Sequence, residues 1–371
     1  MADVPDREAL DRLLGFLDCD PLNPSLLRDA AQAALAANEP GLTVDLLSRL
    51  EQADALAAAD RNLLAIALMQ GGDPAQAARI FEQLFAAAPG DVGLRFNLAW
   101  ARALAKDHAG AAGLLDEATT RALPQAAMLE VQLLHEAGAF DEALARARQH
   151  LSVHADYPPL LAAISVLAVD MEDEELARQC AEKAGSHPDA LAVLGTLALA
   201  EQAHETARPL FERALAANPD APRAWIGLGL SDLASGDHGA AGAAIDRGAE
   251  LFGDHLGSWI AAGWAYLLGG NREKARERFE HALRLDPNFA ESHGSLAVLN
   301  VLEGHRANAE RGLEVAFGLD RQCFSAAFAK LLIAAGDGDQ QAAQRIMDMA
   351  LGQVLGEQGR TIGDALRRMA R

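Results

Sequence analysis

The sequence predicts an all-α array of tandem helical hairpins. Glycine and proline recur through its second half at a fixed interval of 34 residues. Small and aromatic residues keep the same places within each interval. The first half holds the same register with more drift. A chain of 371 residues would otherwise suggest two or three globular domains at about 100–200 residues each. An array grows by stacking instead, so length alone does not set its domain count.

The register is read most clearly from Trp259, Gly263 and Tyr266, followed by Ala275, Phe279, Ala282 and Pro287. One interval earlier stand Trp225, Leu228, Gly229, Ala241, Ile245 and Gly248. One earlier again are Leu191, Leu194, Gly195, Ala207, Phe211, Ala214 and Pro219. Forward, Leu296, Ala297, Ala309, Leu313 and Ala316 hold the phase, then Leu331, Ala343, Met347 and Ala350. Residues 188–357 therefore form five in-phase repeats starting at 188, 222, 256, 290 and 324. Small residues such as Gly263 and Ala275 let paired helices approach, and Pro287 ends the second helix.

Residues 1–23 read as a half-repeat, with Ala9, Leu13, Phe16 and Pro21 in the places of a second helix. Residues 24–157 hold about four degenerate repeats, starting at 24, 58, 92 and 124. The repeat at 158–187 is four residues short and follows Tyr157, Pro158 and Pro159. It carries an acidic turn, Glu172 to Glu175, and marks either a bend between two sub-arrays or a local irregularity. Residues 358–371 read as a C-terminal capping helix with Ile362, Leu366 and Met369 on one stripe. Arg360, Arg367, Arg368 and Arg371 make it basic, suited to solvating the array's end or to docking on an acidic surface.

This pattern resembles the tetratricopeptide repeat of bacterial type, whose signature is W-x2-L-G-x2-Y…A-x3-F…P over 34 residues. The resemblance covers essentially the whole chain and implies an α-solenoid wound into a right-handed superhelix. It also implies that positions 2, 5, 9, 12 and 13 of each first helix line the concave face. Those positions place Ile66, Met69, Phe96, Trp100 and Leu104 there in the first half. Ile226, Leu230, Leu233, Ile260, Trp264, Leu267, Leu268, Val298, Val301, Phe328 and Leu332 follow in the second. Relatives that clamp a peptide carboxylate carry Lys, Arg and Asn at these places. Here Asn62 and Asn97 stand nearly alone, which disfavours that mode. Three arrangements would cover so apolar a face: internal packing of a tightly wound array, a partner's apolar or amphipathic segment, or self-association.

Charge narrows the partners. The chain has 32 basic and 53 acidic residues, a net −21. A phosphate-backbone binder needs clustered Lys and Arg, so nucleic acid is not expected. Neither is membrane insertion, since no run reaches the roughly 18 apolar residues of a span. The acidic first twenty residues lack the basic and apolar regions of a secretory signal. Cys19, Cys180 and Cys323 are odd in number and far apart, as expected of free thiols in the cytoplasm. Heavy use of Ala, Leu and Arg points to a bacterium with a GC-rich genome.

Nothing reads as catalytic, and neither cofactor nor metal is expected. There is no P-loop, and Gly227 and Gly229 fall inside a helix rather than after a strand. His135 and Glu136 lack the second histidine of a zinc-protease motif. His150 and His154 share a helix face but no third ligand follows, so both are expected as surface residues. Gly336 to Asp339 is too short for a calcium loop and belongs to a hairpin turn. The expected function is that of a non-catalytic scaffold or adaptor, with a chaperone-like role as the alternative.

Overall fold

The computed structural model describes residues 4–54, 56–351, 354–355 and 360–361. Its fold is an all-α solenoid of helical hairpins, each an A helix and an antiparallel B helix. The chain divides into two compact units between Leu160 and Leu161. In the first unit α1 (Val4–Cys19) precedes the pairs α2 (Pro24–Ala36) with α3 (Pro40–Ala53) and α4 (Ala58–Gln70) with α5 (Pro74–Ala87). The next A helix, α6 (Val92–Leu104), faces a B helix broken into α7 (His108–Ala112) and α8 (Glu117–Ala122). The pair α9 (Pro124–Glu136) and α10 (Phe140–Leu151) follows.

The division falls inside α11 (Pro158–Asp170), which pairs with α12 (Glu174–Ala184). The second unit continues with α13 (Pro188–Ala200) and α14 (His204–Ala217), then α15 (Pro222–Ser235) and α16 (His238–Phe252). After these come α17 (Leu256–Leu268) and α18 (Arg272–Leu285), α19 (Ala290–Leu302) and α20 (Arg306–Leu319), and α21 (Phe324–Gly336) and α22 (Gln340–Leu351). Beyond them β1 (Val354–Leu355) pairs antiparallel with β2 (Arg360–Thr361). Extended backbone at Arg360–Thr361 departs from the capping helix expected from 358. The rest of that segment, with Ile362, Leu366, Met369 and its last three arginines, lies outside the described residues.

Local chemistry explains where the helices begin. Proline at the first position, as at Pro24, Pro74, Pro188 and Pro222, gives up an amide that no helix would use. B helices are capped by Asp73, Asp107, Asp173, Asp237 and Asn271, whose side chains accept from amides three residues on, at 2.9–3.1 Å. The turn between A and B helices has one fixed requirement. Counting from the first residue of each A helix, position 15 has positive φ in every hairpin. Glycine fills it at residues 72, 138, 236, 270, 304 and 338, but Asn38, Lys106, Glu172 and Gln202 fill the others. The following amide then bonds back five residues, as Asn271 N–H does to the Tyr266 carbonyl at 2.8 Å.

Packing between the helices repeats as well. Phe81, Phe211 and Phe279, at position 24, are fully buried. Phe211 lies against both its own A helix and the next: a Cβ at Gly195 would come within 2.7 Å of its ring, and one at Gly227 within 2.2 Å. Between repeats, an arginine at position 21 of three hairpins reaches an acidic residue on, or just past the end of, the next A helix. Arg178 pairs with Glu201 at 2.6 Å, Arg208 with the buried Asp232, and Arg276 with Glu303 at 2.6 Å. The repeat starting at 222 has Gly242 there instead. The Tyr266 ring fills the space, its carbons 2.7 Å from where a Cβ would stand. Its hydroxyl donates to Asp246 at 3.2 Å, and Arg278 grips the same carboxylate through two bonds of 2.5 and 2.7 Å.

Two predictions follow from the turn and the tyrosine. A left-handed residue other than glycine costs about 1–2 kcal/mol, and glycine's freedom in the unfolded chain returns part of that. Gln202→Gly is expected to stabilise by up to about 1 kcal/mol and Gly270→Ala to destabilise, both measured by urea unfolding. Burial, with the neighbouring Asp246 carboxylate, pushes the Tyr266 phenol up to about 12. The folded state thus holds this proton more tightly than the unfolded chain, near 10. Its stabilisation is complete below about pH 10 and is lost as pH rises toward about 12. Alkaline unfolding of wild type against Tyr266→Phe, with phenolate absorbance recorded alongside, checks this.

Candidate partner-binding face

The residues expected on the inner face meet three different environments. In the first unit Ile66 and Met69 are half-buried against the cluster around Phe81, Leu84 and Leu98. Phe96 and Trp100, with ring centroids 5.7 Å apart, cover Ala99, Leu115 and Leu129. Leu104 ends α6 and is 46% exposed.

In the second unit Ile226 and Leu233 pack on Ile245, Ala262 and Ala265. Ile226 presses on α16, where its Cγ1 lies 2.6 Å from the place of a Cβ at Gly248. Ile260 and Val298 are core, at 8% and 0% exposure, and present no surface to a partner. Close approach of α19 to α21 helps to explain why. A Cβ at Gly294 would stand 2.6 Å from the Ala326 nitrogen and 2.9 Å from the Ser325 Cβ. The side chains Leu267, Val301, Phe328 and Leu332 are half-buried on the same cluster.

Trp264 is the centre of that cluster. Its ring lies 6.0 Å from Phe279 and 5.9 Å from Phe328, so it touches its own B helix and an A helix two repeats on. The indole N–H donates to Ser295 Oγ at 3.1 Å, and Ser295 donates to Ser325 Oγ at 3.1 Å. Ser325 in turn donates to Glu291, which also accepts the Phe324 amide at 2.8 Å and the Ser325 amide at 3.3 Å. Glu291 thereby caps α21, whose own N-cap residue, Cys323, makes no capping bond. Trp264 is a staple between repeats. Leu230, Leu268 and Leu302 remain in water, at 41%, 59% and 40% exposure.

A second polar group lies in the first unit. His150 is buried, not at the surface, because it stands at position 27, where other repeats have Leu50, Leu84, Ala184, Ala214 or Ala282. Glu130 likewise stands at position 7, filled elsewhere by Leu64, Leu98 or Ile164. The two substitutions compensate each other: His150 Nε2 meets Glu130 Oε2 at 2.5 Å, and Arg146 grips both Glu130 oxygens at 2.9 and 3.0 Å. Burial pushes the Glu130 carboxyl up, but the bonds from His150 and Arg146 outweigh it and hold the group below its usual range. His154 reaches the Thr120 carbonyl at 2.9 Å. Beside them lies a polar hollow of about 370 Å³ lined by Glu117, Thr120, Arg121, Arg146, His150 and Ser152 among others. Reading Glu and His at two core positions of the repeat would have found this pair in the sequence. Both Glu130 oxygens are engaged, so this group acts as an ion-pair clasp. Among the described residues no three metal-ligating side chains gather.

Tetratricopeptide-repeat family models match residues 62–127 and 193–254, and a further one matches 257–289. Together with the hairpin geometry these matches decide the family. The chain is a tetratricopeptide-repeat protein. Two solved IFIT1 structures agree in fold. Human IFIT1, solved as a dimer with PPP-AAAA, is 13% identical with a TM-score of 0.55, the match covering 100% of this chain and 95% of that one. A monomeric IFIT1 mutant with Gppp-AAAA is 11% identical with a TM-score of 0.55, covering 93% and 94%. Pseudomonas aeruginosa PilF is 18% identical with a TM-score of 0.43, covering 51% and 88%. No significant relative was found among curated proteins. Tetratricopeptide-repeat arrays are protein-interaction scaffolds whose stacked hairpins present extended binding surfaces. No helix among the described residues is long and apolar enough to cross a membrane.

The division between staple and exposed leucine is open to measurement. Trp264→Ala is expected to destabilise the second unit by about 3–5 kcal/mol. Leu268→Ala should stay within about 0.5 kcal/mol of wild type. Urea unfolding followed by circular dichroism separates the two.

Proposed function

We propose that this protein is a non-catalytic, cytoplasmic adaptor that binds a partner protein's apolar or amphipathic segment. The observation that carries the reading is the exposure of Leu230, Leu268 and Leu302 on three successive A helices. Covering one such leucine is worth about 1.5–3 kcal/mol before ordering and association costs. Three on one partner segment are enough to matter. The half-buried residues beside them, Leu233, Leu267, Val301 and Leu332, form the floor against which that segment lies. Ile260, Val298 and Trp264 belong to the scaffold. The net charge of −21 keeps polyanions away and the exterior solvated.

The test is affinity capture from the source cell's lysate with wild type and a Leu230→Glu, Leu268→Glu double variant of matching helicity and melting temperature. A partner retained by wild type and lost at least tenfold by the variant is the expected outcome. Equal capture by both proteins would overturn the assignment of this face. A captured client that stays insoluble without this protein would make the role chaperone-like.

A further inference from the structure

Among the described residues of the second unit, one ion pair reaches past a whole repeat. Arg223, near the start of α15, reaches past α13 to Asp170 at the end of α11, 53 residues away. The guanidinium meets both carboxylate oxygens, at 2.9 and 3.4 Å, and both side chains are partly exposed. Both charges also stand at the wrong ends of their helices. Asp170 is the last residue of α11, where the helix dipole disfavours an anion. Arg223 is the second residue of α15, where it disfavours a cation. Helix stability alone would select neither residue at its place. Their pairing across an intervening repeat is what the two have in common.

We propose that Asp170 and Arg223 form an electrostatic latch controlling access to the A-helix face between α11 and α15. The latch ties two repeats separated by a third, and Val166, Thr196, Leu199 and Leu230 lie on the A helices it spans. Closed, it holds α11 and α15 together beside α13. Open, it lets the two A helices separate and admits a partner segment to Val166 and Leu199, which are half-buried now. Salt opens it, because a partly exposed pair is screened. This regulates the face assigned above and rests on that reading for its purpose. Its test requires no partner, so either idea can fail without the other.

The experiment is amide hydrogen exchange on the full chain, comparing wild type, Arg223→Gln and the reversed pair Asp170→Arg, Arg223→Asp, each at low salt and in 1 M sodium chloride. Arg223→Gln removes an unfavourable dipole contact as well as the latch, so its melting temperature should not fall. Exchange in α11 and α13 should nonetheless rise by about two- to fivefold, the range of a single exposed pair. High salt should do the same to wild type and add nothing to Arg223→Gln. The reversed pair, with both charges now favourable to their helices, should restore wild-type exchange or slow it further. Unchanged exchange in a folded Arg223→Gln would overturn the latch. So would a reversed pair that exchanges like Arg223→Gln, or a rise spread evenly over every helix.

Discussion

One backbone requirement underlies the whole array: a single residue in the left-handed region at position 15 of each hairpin. It stops the A helix after about thirteen residues and sends the B helix back along it. That fixes which residues of the two helices face each other. The buried alanines at position 20, Ala77, Ala207 and Ala275 among them, meet small residues at position 8 only because the turn has constant length. Four hairpins meet this requirement without glycine, three of them before residue 188. They do so at a local cost that the surrounding packing offsets.

Because each repeat touches little beyond its neighbours, a change in one is answered next door. Gly242 stands where the repeats before and after it have Arg208 and Arg276, and Tyr266 of the following repeat fills the gap. The link between these repeats is instead the two-bond ion pair of Arg278 with Asp246. Glu130 and His150 make the same point inside one repeat. His150 alone would leave a polar ring nitrogen unpaired in the core, at a cost of about 1–3 kcal/mol. Together with Arg146 they satisfy one another.

Helix positions were legible in the sequence because proline, glycine and capping aspartates mark them chemically. The A helices begin at 188, 222, 256, 290 and 324, where the punctuation places them. The break between α7 and α8 was less legible. It arises from Gly113 together with Asp116, which caps α8 by accepting from the Thr119 amide. Which inner-face residues are free was not legible at all. Trp264 and Val298 occupy the same repeat position, 9, as the exposed Leu230, yet they pack into the core cluster. Their burial depends on how near adjacent A helices come, and Gly294, Ser295 and Ser325 set that separation between distant parts of the sequence. A positional rule carried over from a family assumes one spacing throughout. His150 is buried because its repeat register, position 27, decides its place, which helical spacing alone does not reveal.

The Trp264–Phe328 and Asp170–Arg223 contacts both skip a repeat, and their difference bears on where a partner enters. Trp264 meets Phe328 through rings backed by a serine relay and a buried apolar cluster. Separating α17 from α21 would expose that cluster and cost several kcal/mol. Asp170 and Arg223 are joined by a partly exposed ion pair, which costs about 1 kcal/mol or less to open. A segment of modest affinity can meet the second cost and not the first. Binding that enlarges the inner face should therefore begin between α11 and α15, with the stapled end serving as the rigid part against which that opening occurs.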